Sequence, residues 1–236
     1  MIVTAIGDIH WMTKWEKIVE KEIDISDKII FVWDYFDAYS KNITVEDEYI
    51  NFEKILELKK EYWEKIILLL WNHDLHYLDG IDNKYDRFSE INYDKINSIL
   101  TNSINDNLLQ IATKIDNVLY THAWVTKTWL SDNNIQDTNN NIDLSINALF
   151  LKNEKAFDFI QKEGYISERK WDNIFQWPLW VRDKSLLADK LDIKQVVWHT
   201  RFSCSMTFSD IAFIDLLWIT NRYLNIEDWN FIDKRY

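Results

Sequence analysis

Short apolar runs recur along this chain, each broken off by polar residues, and that punctuation constrains the fold more than any other feature. The runs fall at residues 1–6, Lys28–Val32, 65–70, 117–121 and 195–197, with a later pair at 211–214 and 230–232. Their length and apolar content predict buried strands. Segments with helical spacing, 13–22 and Val45–Tyr62, separate the first three runs, so the chain begins β-α-β-α-β. An α/β sheet with right-handed crossovers follows. Residues 89–116 are again predicted helical, 133–141 are polar and Asn-rich and read as a loop, and 144–163 are predicted helical. Residues 165–190 carry Trp, Pro and Arg without clear periodicity. We expect one domain over 1–236, with 125–192 forming an insertion or cap on the sheet.

Composition narrows the function classes. At 236 residues with 47% apolar content, the chain can bury a sizeable core. Its one cysteine, Cys204, excludes an internal disulfide framework and any Cys-cluster zinc site, and is expected to be inert packing. With 27 basic against 39 acidic residues, extended nucleic-acid binding is not expected, because phosphate backbones would be repelled. A phosphorylated substrate held through metal ions is compatible with that charge. No apolar stretch approaches a membrane span and no basic leader precedes the first run, so a cytoplasmic protein without membrane contact is expected. No obligate protein partner is evident.

The polar residues after each run share one chemistry. The first run is followed by Gly7-Asp8-Ile9-His10, the second by Asp34-Tyr35-Phe36-Asp37 and the third by Asn72-His73-Asp74. His122-Ala123 follows the fourth and His199-Thr200 the fifth. Four of the five histidines thus fall at strand C-termini, the edge of an open α/β sheet where ligands bind. A single histidine after a strand is more often structural. Five such clusters in one chain are not readily accidental. Carboxylate, amide and imidazole without thiolate suit hard and borderline divalent cations.

The order Asp-x-His, Asp-x-x-Asp, Asn-His-Asp, His-Ala, His-Thr resembles the five motif blocks of the calcineurin-like metallophosphoesterases, in family order from Gly7 to Thr200. The resemblance implies an αββα sandwich of two mixed sheets flanked by helices, with a mostly helical cap. It implies two divalent ions, manganese foremost and iron or zinc as alternatives. Asp8, His10 and Asp34 would hold one ion, with Asp34 bridging to a second held by Asn72, His122 and His199. Such a pair clamps a phosphate, Asn72 included in that contact, and supplies a hydroxide that attacks phosphorus. By the same resemblance His73 protonates the leaving oxygen and Asp37 orients His73, while Asp74 receives no catalytic role. The family commonly has Arg after the second block, where this chain has Ala38. Trp180-Val181-Arg182 resembles a cap motif, so Arg182 is the expected phosphate clamp, with Arg201 the weaker choice. His76 is read as a surface histidine.

One departure from the family pattern is systematic. Where the blocks have glycine, this chain has Trp11, Trp33, Trp71, Trp124 and Trp198. Trp218 and Trp177 stand at further plausible glycine positions. The chain has 3 glycines and 13 tryptophans, against roughly 16 glycines expected for its length. Either the indoles are genuine and the site is distorted, or UGA codons read as glycine have been rendered as tryptophan. The second is favoured, because drift would not choose one replacement at five motif glycines while sparing the ligands. Indole should not fit all five places if they need close approach or positive φ. Trp15, Trp63, Trp129, Trp171, Trp180 and Trp229 lack such an address and are expected to be ordinary core or cap residues.

The leading expectation is therefore a dinuclear metal-dependent phosphoric-ester hydrolase resembling serine/threonine protein phosphatases, with a phosphorylated protein as substrate. A nucleotide pyrophosphohydrolase of the dinucleoside tetraphosphatase type is the alternative. A catalytically impaired binding protein is the reading from another class, should the motif indoles be real.

Overall fold

The computed structural model describes residues 1–236 apart from 8–11, 33–34, 39, 41, 85–86, 137–139, 160–171, 177, 202–205, 209 and 216–220. For 186, 198–201, 206–208 and 214–215 it describes the backbone alone. The expected residues Asp8, His10, Asp34, Trp11, Trp33, Trp171, Trp177, Cys204 and Trp218 lie outside the described residues.

The first sheet takes its centre from continuous apolar runs. Strands β1 (Ile2–Gly7), β2 (Lys28–Val32) and β3 (Ile66–Leu69) pair in parallel, with Ile30 against Ala5 and Ile67. Buried on both faces, they show no polar alternation. Between them run α1 (Lys14–Glu22) and α2 (Val45–Tyr62). The second begins at a capping box in which Thr44 and Asp47 satisfy each other's free amides, and it ends with Lys59 and Lys60 at its negative pole. Trp15 joins the two helices, its indole N–H donating to Asn51 Oδ1 at 3.0 Å while its ring meets Phe31 edge-on. This indole is an ordinary core residue, as expected.

Beyond the short α3 (Asn72–Leu75) and α4 (Tyr93–Asn105), the predicted helix over 89–116 fails in its second half. There the chain forms β4 (Leu109–Gln110), which closes the first sheet beside β3, and β5 (Ala112–Ile115), which opens the second. Strands this short carry too few residues for periodicity to register. The second sheet continues through β6 (Val118–Thr121), β7 (Lys194–Arg201), β8 (Met206–Phe208) and β9 (Ile211–Asp215), in the order β5-β6-β7-β9-β8. Between β6 and β7 lie α5 (Lys127–Asp132), α6 (Ile142–Lys152) and α7 (Asp183–Ala188). Helix α6 flanks the edge of the sheet: Asn147 Oδ1 accepts from the amides of Ile111 and Ala112, and Asp143 accepts from that of Lys114. Edge groups that would invite another strand are thereby covered.

The hairpin β10 (Arg222–Glu227) and β11 (Asn230–Arg235) completes the first sheet, in the order β11-β10-β1-β2-β3-β4. The buried carboxylate of Glu22 secures it, accepting from Tyr223 Oη at 2.6 Å and Asn225 Nδ2 at 3.1 Å. Burial alone would raise the pKa of Glu22, but these bonds, with help from Lys234 and Ser26, hold it below the usual value. The result is two mixed sheets with flanking helices, in contact through β1 with β9 and β3 with β5. Among the described residues no helix is long and apolar enough to cross a membrane.

Candidate active site

The C-terminal ends of β3 and β6 belong to different sheets, yet they meet. Trp71, just after β3, lays its ring against that of His122, just after β6, with centroids 3.7 Å apart. Here the parallel strands of both sheets deliver their polar residues.

From the β2 side comes Asp37, at φ 67° in the left-handed region that Asp tolerates better than most residues. The adjoining Ala38 amide donates to the carboxylate of Glu48 on α2. Glu48 is 3% exposed, and burial, reinforced by the charge of Asp37, pushes its pKa up to about 7 against the opposing pull of the Ala38 amide. Asp74, at 0% exposure, ties the same loop to α3: its Oδ1 accepts from the amides of Tyr35 at 3.1 Å and Phe36 at 3.3 Å. Burial, with the charge of Asp37, drives the pKa of Asp74 well above the usual carboxyl range. Its role is to bind two loops together.

From β3 and α3 come Asn72 and His73. The Nδ1 of His73 lies 3.2 Å from Asp37 Oδ2, so the structure brings together the two residues that the resemblance assigns to leaving-group protonation. Burial opposes ionisation of Asp37, but the hydrogen bonds and charges of His73 and His76 outweigh it and hold the carboxyl below its ordinary value. Asn72 is 2% exposed, and its Oδ1 is buried with no hydrogen-bond partner among the described residues. A buried amide oxygen in that state costs on the order of 1–3 kcal/mol unless a cation or donor faces it. This atom is one the resemblance assigns to metal, so the residue fits that role.

From β6 comes His122, fully buried, with its pKa driven well below the usual value by burial and then by the positive charges of His73 and Arg182. Burial thus favours its neutral imidazole, the form that binds metal. The field of Arg182 at His122 places the expected clamp within electrostatic reach of the site. Arg182 is delivered by a segment docked on the β6–α5 loop: Ala123 N–H donates to the carbonyl of Pro178, and Thr126 Oγ1 to that of Ile174 at 2.7 Å. The buried carboxylate of Asp172 fixes the end of this segment by accepting from the amides of Arg182 and Ser185. His199 and Arg201 both lie on β7, where the pairing with β9 shifts register between Val197 and Arg201.

Two expectations need correction. His76 is 0% exposed, not a surface residue, with its Nε2 2.7 Å from Asp37 Oδ2. Asp37, His73 and His76 form a group of donors all within 4.8 Å of one another, dense enough to hold a cation. The spacing of His73 and His76, three residues apart at a helical turn, is the signal that places both on one side. Second, the indoles described at the motif positions do not sit on glycine-only backbone. Trp71 has φ −119°, and Trp124 is fully buried against Val181, Val197 and Phe213. Left-handed backbone occurs instead at Trp63 and Trp229, which are not core residues as expected but 50% and 43% exposed.

No family model and no curated protein matches the chain. Solved structures do match along its whole length. They include a cold-active protein-tyrosine phosphatase from a psychrophilic Shewanella species, at TM-score 0.60 and 18% identity over 78% of that chain. A second structure titled as a cold-active protein tyrosine phosphatase gives 0.59 and 19% over 76%. A protein serine/threonine phosphatase from Saccharomyces cerevisiae gives 0.52 and 15% over 79%. The fold, two mixed sheets with flanking helices, is shared with these phosphatase structures. Within that fold, the pairing of Asp37 with His73, the Asn72 oxygen that has no hydrogen-bond partner among the described residues and the buried His122 lie where the C-terminal ends of β3 and β6 meet.

Proposed function

We propose that the chain is a divalent-metal-dependent phosphoric-ester hydrolase that removes phosphate from phosphoserine or phosphothreonine in a protein substrate. The observation that carries this reading is the company of His73: a carboxylate on its Nδ1, and beside it a buried amide oxygen with no hydrogen-bond partner among the described residues. Asn72 and His122, with Asp8, His10, Asp34 and His199, would hold two divalent ions, for which manganese is the first choice. When bound, such ions supply positive charge to phosphoryl oxygens and lower the pKa of water. Residues of the chain do the rest. Asp37 fixes the tautomer of His73, leaving Nε2 to deliver a proton to the departing alkoxide. Arg182 brings a planar, permanently charged fork to the phosphoryl oxygens.

Similar structures are titled for tyrosine and for serine/threonine phosphatases, so the preference for serine and threonine rests on the resemblance of the motif blocks and is part of the proposal. The contact of Trp71 with His122 favours a second reading, a binding protein with a blocked site, if the motif indoles are genuine. We hold instead that they stand for glycine. Trp229 supports this, because it lies with Asp228 in the two-residue turn between β10 and β11, at φ 71° and 47°. That is the turn for which Asp-Gly is a preferred sequence. Codons separate the two readings: UGA at positions 11, 33, 71, 124 and 198, with UGG at position 15, is the expected result, and UGG throughout would overturn recoding. For function, the chain made with glycine at those five positions should hydrolyse an aryl phosphate with Mn²⁺ and dephosphorylate a phosphoserine peptide. Failure with every divalent ion would overturn the hydrolase proposal.

A further inference from the structure

Asp37 has more partners than its pairing with His73 requires. Its Oδ2 is shared between His73 Nδ1 at 3.2 Å and His76 Nε2 at 2.7 Å. Its Oδ1 accepts from the hydroxyl of Tyr77 at 2.7 Å, and that hydroxyl in turn accepts from the Ser89 amide at 2.9 Å. The two histidines differ in access. The side chain of His73 is 13% exposed and that of His76 0%, so His76 acts only through what it touches. Its ring is held edge-on by Tyr77, with centroids at 4.5 Å, and by Phe88 at 5.1 Å. Its carbonyl accepts from Lys84 Nζ at 2.6 Å. Asp37, by contrast, stands on a loop in left-handed backbone, where the strand before it no longer fixes its direction.

We propose that His76 is a positioning residue of the hydrolase: with Tyr77 it clamps the Asp37 carboxylate in the place from which that carboxylate fixes the His73 imidazole. The role in turnover rests on the phosphoesterase reading above; the clamp itself does not. A proton donor must be held to within a fraction of an ångström to act, and a carboxylate free to rotate would not hold it.

The test compares His76→Phe, which keeps the aromatic packing but has no nitrogen, with His76→Gln, which keeps a donor, each in the full chain with glycine at the five motif positions. With Mn²⁺ and an aryl phosphate, His76→Phe should lower kcat about tenfold with KM and bound manganese unchanged. His76→Gln should recover most of that loss. In an Asp37→Asn background, His76→Phe should have no further effect on kcat. A loss of the same size in that background, or a fall in bound manganese in step with kcat, would overturn the proposal. A readout independent of turnover is the Nδ1–H proton resonance of His73. It should be protected in the parent chain and broadened by water exchange in His76→Phe, and an unchanged resonance would contradict the clamp. If the parent chain hydrolyses nothing, the phosphoesterase reading fails while this resonance still decides the clamp.

Discussion

The strand edge that carries the histidines holds tryptophan where the motifs lead one to expect glycine, and the opposite periphery holds it where the backbone favours glycine, so the two conflicts differ in kind. At the edge, Trp71 and Trp124 have ordinary backbone and are buried; the conflict is one of volume, with an indole ring pressed on His122 and the Trp71 Nε1 buried without a hydrogen-bond partner among the described residues. At the periphery, Trp63 after α2 and Trp229 in the β10–β11 turn have half-exposed rings; the conflict is one of conformation, at φ 21° and 71°. The lesson is that a misplaced side chain should damage function in the first region and stability in the second.

Four experiments sharpen or break that contrast. The largest effect belongs to the edge: His73→Asn should cost about 10²- to 10⁴-fold in kcat, the worth of a positioned general acid, with bound metal unchanged. Equal loss of metal and turnover would place His73 among the ligands instead. Next comes Glu48. Its folded pKa, raised from 4.5 to about 7, means that the folded chain holds this proton more tightly than the unfolded one. Its contribution is therefore fully favourable below pH 4.5 and is lost as pH rises to about 7, a fall of about 3–4 kcal/mol at ~1.4 kcal/mol per unit. Glu48→Gln, whose side-chain oxygen still accepts from the Ala38 amide, should flatten that slope in denaturant titrations between pH 5 and 8, and an unaltered slope would remove Glu48 as its source.

At the periphery, Trp229→Gly should stabilise the fold by about 1–3 kcal/mol, the cost of a bulky residue in left-handed backbone. Trp63→Gly should give about 1 kcal/mol, as a helix C-terminus gains the residue it prefers. Neither should change turnover. A rise in activity from the peripheral pair, or a rise in melting temperature alone from Trp71→Gly, would break the contrast.

Much of the fold was legible because its centre is built from apolar runs. The bounds of β2 and α2 follow from sequence alone, since one is a continuous buried run and the other opens on Thr44 and Asp47. Strand β10 was not legible. Its polar residues Asn225 and Arg222 interrupt any run, and its place depends on pairing with β1 and on the distant carboxylate of Glu22. The same holds within the site. Asp37 and His73 are named by motif, and the three-residue spacing puts His76 on the side of His73, but the burial of Glu48 and His76 beside Asp37 is stated by no local pattern. The left-handed positions of Trp63 and Trp229 were hidden because the residue type that signals such turns is the one missing from the sequence.

The most direct measurement compares Mn²⁺-dependent aryl phosphate hydrolysis by the chain with tryptophan at positions 11, 33, 71, 124 and 198 and by the chain with glycine there. The account predicts that the glycine chain turns over at least about 100-fold faster, the scale on which misplacing a reacting group by an ångström acts. Equal rates, or no hydrolysis by either chain with any divalent ion, would contradict it.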